Sequence, residues 1–430
     1  MAMDTDIRLQ NQVIYSIYVR SHTQEGTFRA VVPDLDRIRA LGTDIVWLMP
    51  IHPIGEKGKK GSLGCPYANR DYRSVNPAYG TMEDFRALVD AIHERGMRCI
   101  IDVVYNHTSP DSVLWAEHPE YFYKKPDGRP GNRVGDWTDI IDLDYSNKGL
   151  WDYQIESLRY WAGFVDGFRC DVASLVPLDF WLKAREEVEK VRPGCIWLAE
   201  SVHASFNALC RLNELYACCD RDLYEAFDIE YEYDIRESFD KFLRGEEPLS
   251  SWIDMLNFQE GAYPKNYNKL RFLENHDQPR IASFVNDEER LKVYTAMLYF
   301  MKGTTLIFGG QERGLAHLPA LFDKDSIDWN GGFELSSLMK KLSEIKHGEL
   351  SPGDLFFAFA DDSAGAAVMI RKGAKGTLIG VFPLNAKPAE IRNEFCLGDG
   401  LYCDLLSGSD FEIRNNTLNS DGHALILRLK

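Results

Sequence analysis

The stretch TMEDFRALVDAIHERGMRCIIDVVYNH, residues 81–107, holds one full unit of the pattern that decides the fold. Its first part sets Phe85, Leu88, Val89 and Ile92 at i, i+3, i+4 and i+7, which predicts an amphipathic helix over 83–95. Thr81 followed by Asp84 makes a capping-box-like start, and Gly96 is a C-cap candidate. The run RCIIDVV at 98–104 is short and apolar on both faces, as a strand inside a covered parallel sheet must be. Outward along the chain the same kind of run recurs as DIVWLM at 44–49, CIWLA at 195–199 and TTLIF at 304–308. Helical patterns lie between, among them 287–300, with Leu291, Tyr294 and Leu298 on one stripe. Strand and helix alternating along most of the chain predict a parallel α/β fold. A closed barrel and an open doubly wound sheet both satisfy that alternation. No GxGxxG or GxxxxGK[ST] loop follows a strand, which weighs against an open nucleotide-binding sheet.

Two parts break the alternation. Residues 106–148 are rich in Pro, Gly, Asp and Trp and read as a short inserted domain after the strand at 98–104. From 351 to 430 the pattern turns alternating and turn-rich (GTLIGVFPL, FEIRNN, HALILRL), as a small antiparallel β domain would. The barrel would then comprise 1–105 and 149–350. At 430 residues the chain has room for a barrel of about 250 residues plus these additions.

Composition narrows the function classes. The formal net charge of −17 repels phosphate backbones and argues against nucleic acid as a partner. No apolar run is long enough to span a membrane, and the first residues, MAMDTDIRLQNQ, lack the basic and apolar regions of a signal peptide. The nine cysteines are unevenly spaced, form no CxxC pair and include several in apolar runs (Cys99, Cys170, Cys195). Reduced thiols and a cytoplasmic location are the expectation.

Chemistry-bearing residues gather at the C-terminal ends of the apolar runs, the active face of a parallel barrel. DVVYNH carries Asp102, Asn106 and His107; DGFRCD carries Asp166, Arg169 and Asp171; WLAES carries Glu200; LENHDQPR carries Asn275, His276, Asp277 and Arg280. Singly, each has an ordinary reading: an ion pair, a solvated strand end, a hydrogen-bonded histidine. As an ordered set at strand-like ends they place three carboxylates, two histidines and an arginine around one mouth.

This set resembles the α-amylase family of retaining α-glucoside hydrolases and transferases, nearest in character to its oligosaccharide-active α-glucosidases. IIDLDYSN at 140–147 is similar to the family's short motif near the end of its inserted domain. SLGCPYANRDYRSVNPAYGT at 62–81 resembles the stretch that carries a substrate-stacking tyrosine, and GGQERG at 309–314 the stretch after the last barrel strand. The likeness runs over 13–329 and implies a (β/α)8 barrel, a TIM barrel, acting on an oligosaccharide.

The resemblance implies Asp171 as nucleophile, Glu200 as acid/base and Asp277 as the carboxylate holding ring hydroxyls. Substrate contacts would come from Tyr67, His107, Arg169, His276 and Arg280, with Arg169 keeping Asp171 ionised and Arg280 helping to close the non-reducing side. Glu200 needs a raised pKa, which burial beside Trp197 would supply. Asp102 and Asn106 would support a loop. The reaction needs no cofactor and no metal; Asn106 with Asp139 is the candidate pair for a calcium site like that of true amylases. Two departures stand out. The family's Lys-His after the nucleophile is here Ser174 and Leu175, and no DxNxDG-type loop follows the first strand. The implied activity is hydrolysis of α-1,4- or α-1,6-glucosidic bonds of gluco-oligosaccharides. A 4-α-glucanotransferase or a catalytically inactive sugar-binding barrel are the alternatives.

Overall fold

The computed structural model describes residues 5–135, 137–392 and 398–429. Eight parallel strands close into a barrel: β1 (Val13–Ile17), β2 (Ile45–Leu48), β3 (Arg98–Val103), β4 (Gly167–Cys170), β5 (Ile196–Ala199), β6 (Ile229–Tyr231), β7 (Lys269–Arg271) and β8 (Thr304–Phe308). Each pairs with its sequence neighbours, and β8 closes on β1 with Val13 opposite Thr305. The four apolar runs are β2, β3, β5 and β8.

The helix before β3 spans Met82–Glu94, and its capping box is made in both directions between Thr81 and Asp84. Gly96 follows the last turn at φ +68°, a conformation in which a Cβ would be strained. The helix Glu288–Phe300 starts on Asp287, which caps Arg290. It is buried on nearly every side rather than along one stripe, because the C-terminal sheet covers its outer face: Phe300 packs on Phe382 with ring centroids 5.7 Å apart.

Sequence alternation sorts the barrel side chains. On β4, Gly167 and Arg169 point inward and Phe168 and Cys170 outward, so Asp171 just beyond the strand follows Arg169 to the inside. The register pairs Asp102 of β3 with Arg169. Outside β5, Trp197 packs with Trp181 and Phe227 in the barrel–helix layer, away from Glu200.

The insertion is pinned by a short antiparallel pair, His107–Thr108 with Ile141–Asp142. Beyond the barrel a six-stranded antiparallel sheet includes Gly376–Pro383, Asp410–Ile413 and Leu425–Leu429, on the three turn-rich segments. The eight described cysteines are all unpaired; Cys396 lies outside the described residues. Among the described residues no helix is long and apolar enough to cross a membrane.

Candidate active site

A cavity of about 400 Å³ opens at the C-terminal end of the barrel. Asp171, Glu200 and Asp277 line it together with Tyr67 and His107. Strands β4 and β5 deliver the first two carboxylates, and the loop after β7 delivers the third.

Arg169 sits beneath, fully buried, and organises the group. Its Nη1 donates to Asp102 Oδ1 at 2.9 Å and to Asp171 Oδ1 at 2.8 Å. Its Nη2 lies 2.9 Å from Glu200 Oε2, a charge contact without hydrogen-bond alignment. One guanidinium therefore serves three carboxylates, and it lies 5.5 Å from the centre of the Tyr67 ring.

The charge balance sets the proton positions. Burial pushes Asp171 up to about 6; Arg169 opposes this, while Asp102 and Asp277 add to it. Arg169 alone thus does not hold Asp171 at an ordinary carboxylate value, because it is shared. Burial likewise pushes Glu200 up to about 7, against Arg169 and with the help of the Asp171 and Asp277 charges. The burial comes from the barrel mouth and not from Trp197. Asp277 goes the other way. Burial works against its charge, but the neighbouring His276 more than offsets that and lowers it below the usual range. Asp277 alone of the three opens widely, with 41% of its side chain exposed. The arrangement thus separates a carboxyl that keeps its proton near neutrality from carboxylates that give theirs up.

His276 and Tyr67 form a relay beside these acids. Tyr67 Oη donates to Asp102 Oδ2 at 3.0 Å and lies 2.7 Å from His276 Nε2, which is also 3.0 Å from Asp277 Oδ2. Burial lowers the His276 pKa but Asp277 raises it further, so the imidazolium is favoured. The Tyr67 ring stacks on His276 at 5.4 Å and 13°. His107 is held neutral by burial, and its Nδ1 faces the Asn106 amide at 3.2 Å.

Three expectations change here. Arg280 is fully buried and does not line the cavity: it donates to Glu274 Oε1 at 2.6 Å and to the Gly309 carbonyl at 2.7 Å, bracing the turn after β8. Asp102 supports Arg169 and Tyr67 rather than a loop. Asn106 and Asp139 face different cavities. Asp139 pairs with Lys60 at 3.1 Å, while on Asn106's side the Arg133 guanidinium stands 3.9 Å from both Asp142 and Asp144. The described residues include no cluster of three or more His, Cys, Asp or Glu suited to a metal ion.

Residues that sequence reading missed also line the cavity: Lys60, Trp137 and Phe322, with Asp139 in a role other than the expected one. A further one is Val172, at φ +36° and ψ +46°, a left-handed conformation that costs a β-branched residue on the order of 1–3 kcal/mol. The strain aims its N–H at Glu200 Oε2, 2.8 Å away.

The alpha amylase catalytic domain family matches residues 11–139 and 133–349, and the bacterial alpha amylase C-terminal domain family matches 358–427. A crystal structure of an alpha-amylase from Lactobacillus plantarum is 41% identical, with 98% of this chain and 99% of that one covered and a TM-score of 0.93. A maltogenic alpha-amylase from Thermotoga neapolitana is 33% identical, covering 98% and 100%, with a TM-score of 0.87. Among curated relatives, the probable oligo-1,6-glucosidase 2 of Bacillus subtilis is 24% identical over 72% of this chain. The chain spans 66% of that relative's length. A closed barrel carrying an arginine-bound carboxylate group at its mouth, with an antiparallel C-terminal sheet, defines a glycosidase-type enzyme class. The chain belongs to the α-amylase family.

Proposed function

We propose that the protein hydrolyses α-1,4- or α-1,6-glucosidic bonds of short gluco-oligosaccharides with retention of configuration. The carrying observation is the shared guanidinium, with Asp171 Oδ1 at 2.8 Å from Nη1 and Glu200 Oε2 at 2.9 Å from Nη2. Two carboxyls gathered on one guanidinium suit the close spacing of about 5–5.5 Å used for attack by a carboxylate, rather than the wider gap that admits a water between them.

In the first step Asp171 attacks the anomeric carbon as Glu200 gives its proton to the departing glycosidic oxygen. The C–O bond breaks and a glycosyl ester forms. In the second step the Glu200 carboxylate takes a proton from the incoming water, which displaces Asp171 and releases the sugar. Asp277, held ionised by His276, accepts hydrogen bonds from ring hydroxyls and faces the developing positive charge. Tyr67, backed by His276, offers its ring to the apolar face of that sugar. The unpaired cysteines suit a reducing, cytoplasmic compartment.

The cavity volume, about 400 Å³, favours short substrates over a polymer that needs a chain of subsites. Initial rates at matched bond concentration on maltotriose, maltoheptaose and soluble starch test this. Efficiency per bond is expected to be higher on sugars of two to about seven units than on starch. Faster cleavage of starch, internal bonds first, would identify an endo-amylase, and formation of longer saccharides from maltotriose with no gain in reducing ends a glucanotransferase.

A further inference from the structure

The turn KGKKG at 57–61 meets two other loops above the carboxylates. Gly58 and Gly61 both adopt positive φ, +76° and +61°. A Cβ on Gly61 would come within 2.7 Å of Phe322, so the turn is seated tightly against the loop after β8. Ser62 fastens it there by donating N–H and Oγ–H to Asp323 Oδ1, both at 2.7 Å, and the Leu63 N–H reaches the Phe322 carbonyl at 2.9 Å. On its other side Lys60 crosses to the insertion and pairs with Asp139.

Asp139 is almost wholly buried, with 4% of its side chain exposed. Asp139 lines the cavity; its Oδ1 takes the Lys60 ammonium, and its Oδ2 is buried without a hydrogen-bond partner. A buried carboxylate oxygen left unpaired costs free energy unless a ligand donates to it. Trp137 and Phe322 belong to the same lining, with the Phe322 ring 5.9 Å from the Lys60 ammonium, and both offer flat faces of the kind that pack against sugar rings. The positions of the family's Lys-His supply nothing here: Ser174 is buried and Leu175 faces the other cavity.

We propose that Lys60 and Asp139 form a saccharide-recognition site for the glucosyl unit next to the one being cleaved. Asp139 Oδ2 accepts from one hydroxyl of that unit and the Lys60 ammonium donates to another, with Trp137 and Phe322 as walls. Because the ion pair joins two loops across the cavity, it also bounds the length of chain that fits. This rests on the glucosidase reading for its ligand class.

Binding measured by calorimetry in an Asp171→Asn background separates this from catalysis. Asp139→Ala or Lys60→Ala should weaken maltotriose binding about tenfold, the loss of one charged hydrogen-bonding partner. Methyl α-glucoside, which has no second unit, should lose less than about threefold. Lys60→Arg, which keeps the charge and the donors, should restore most of the maltotriose affinity, and thermal melts of each variant report the fold. An unchanged maltotriose affinity, or equal losses for both sugars, would overturn the proposal. A wild-type enzyme that binds maltotriose through these residues yet never cleaves it would overturn the hydrolase reading alone.

Discussion

Asp171→Asn is expected to lower turnover roughly 10³-fold or more with the fold intact, since an amide cannot form the glycosyl ester. The structure explains why the protein tolerates the change. Arg169 keeps Asp102 and Glu200 as partners, so no buried cation is stranded. The folded-state pKa of Asp171, about 6, lies above its ordinary 3.8. The folded protein therefore binds this proton more tightly than the unfolded chain, and ionisation of Asp171 costs stability as the pH rises through that range. Removing the charge should leave the melting temperature at pH 7 unchanged or raised. Arg169 itself is a poor probe, because its loss would leave three buried carboxylates uncompensated, at a cost of several kcal/mol on the order of a broken buried ion pair. Turnover within tenfold of wild type, in protein free of contaminating glucosidase, would exclude Asp171 as nucleophile.

Glu200→Gln should divide substrates by leaving group. Natural oligosaccharides depart as poor alkoxides and need the proton, so their glycosylation step should fall by about 10²–10⁴-fold. An activated aryl α-glucoside leaves unaided and should lose far less in that step. The pH profile should change in parallel. In the wild type, activity rises as the carboxylate group that includes Asp171 ionises near pH 6 and falls as Glu200 gives up its proton near pH 7. The two limbs belong to the coupled cluster and not to single residues. In Glu200→Gln the alkaline limb should vanish for glycosylation, while the acid limb, set by burial with the Asp102 and Asp277 charges, persists. Equal losses on both substrate types, or an unchanged alkaline limb, would exclude Glu200 as the acid.

How much of this was legible in the sequence depended on which way charged residues pointed. Strands β2, β3, β5 and β8 stand out because both faces are apolar. β6 and β7 do not: their sequences are IEY and KLR, and their outward residues are charged. Glu230 and Lys269 face one another 3.5 Å apart beneath the helices, Lys269 also reaches Asp234 at 3.4 Å and Asp220, and Arg271 pairs with Glu232 at 2.9 Å. A buried strand whose outer face is an ion network gives no hydropathy signal, and no local pattern reveals that its partners lie 35 to 49 residues away.

The site divides along a similar line. Asp171, Glu200 and Asp277 each follow a strand directly or by a short loop, so the order of motifs along the chain anticipates their meeting. Arg280 carries a family-like motif, but its long side chain turns back to Glu274, a contact that motif spacing does not encode. Lys60, Trp137, Asp139 and Phe322 come from three loops far apart in sequence. Only the closed barrel brings them together, and a lysine in a glycine-rich turn otherwise reads as a solvated loop. Val172 is the residue type least expected at positive φ, so its placement is a property of the folded site.

The central claim is double displacement through Asp171 with net retention, and the anomeric form of the first product tests it most directly. Proton NMR of maltotriose hydrolysis, recorded before mutarotation equilibrates the new reducing end, should show the α-anomer first, with the β-anomer growing in later. Release of the β-anomer first would mean a single displacement by water, with Asp171 and Glu200 acting across a gap rather than through an ester, and would contradict the account.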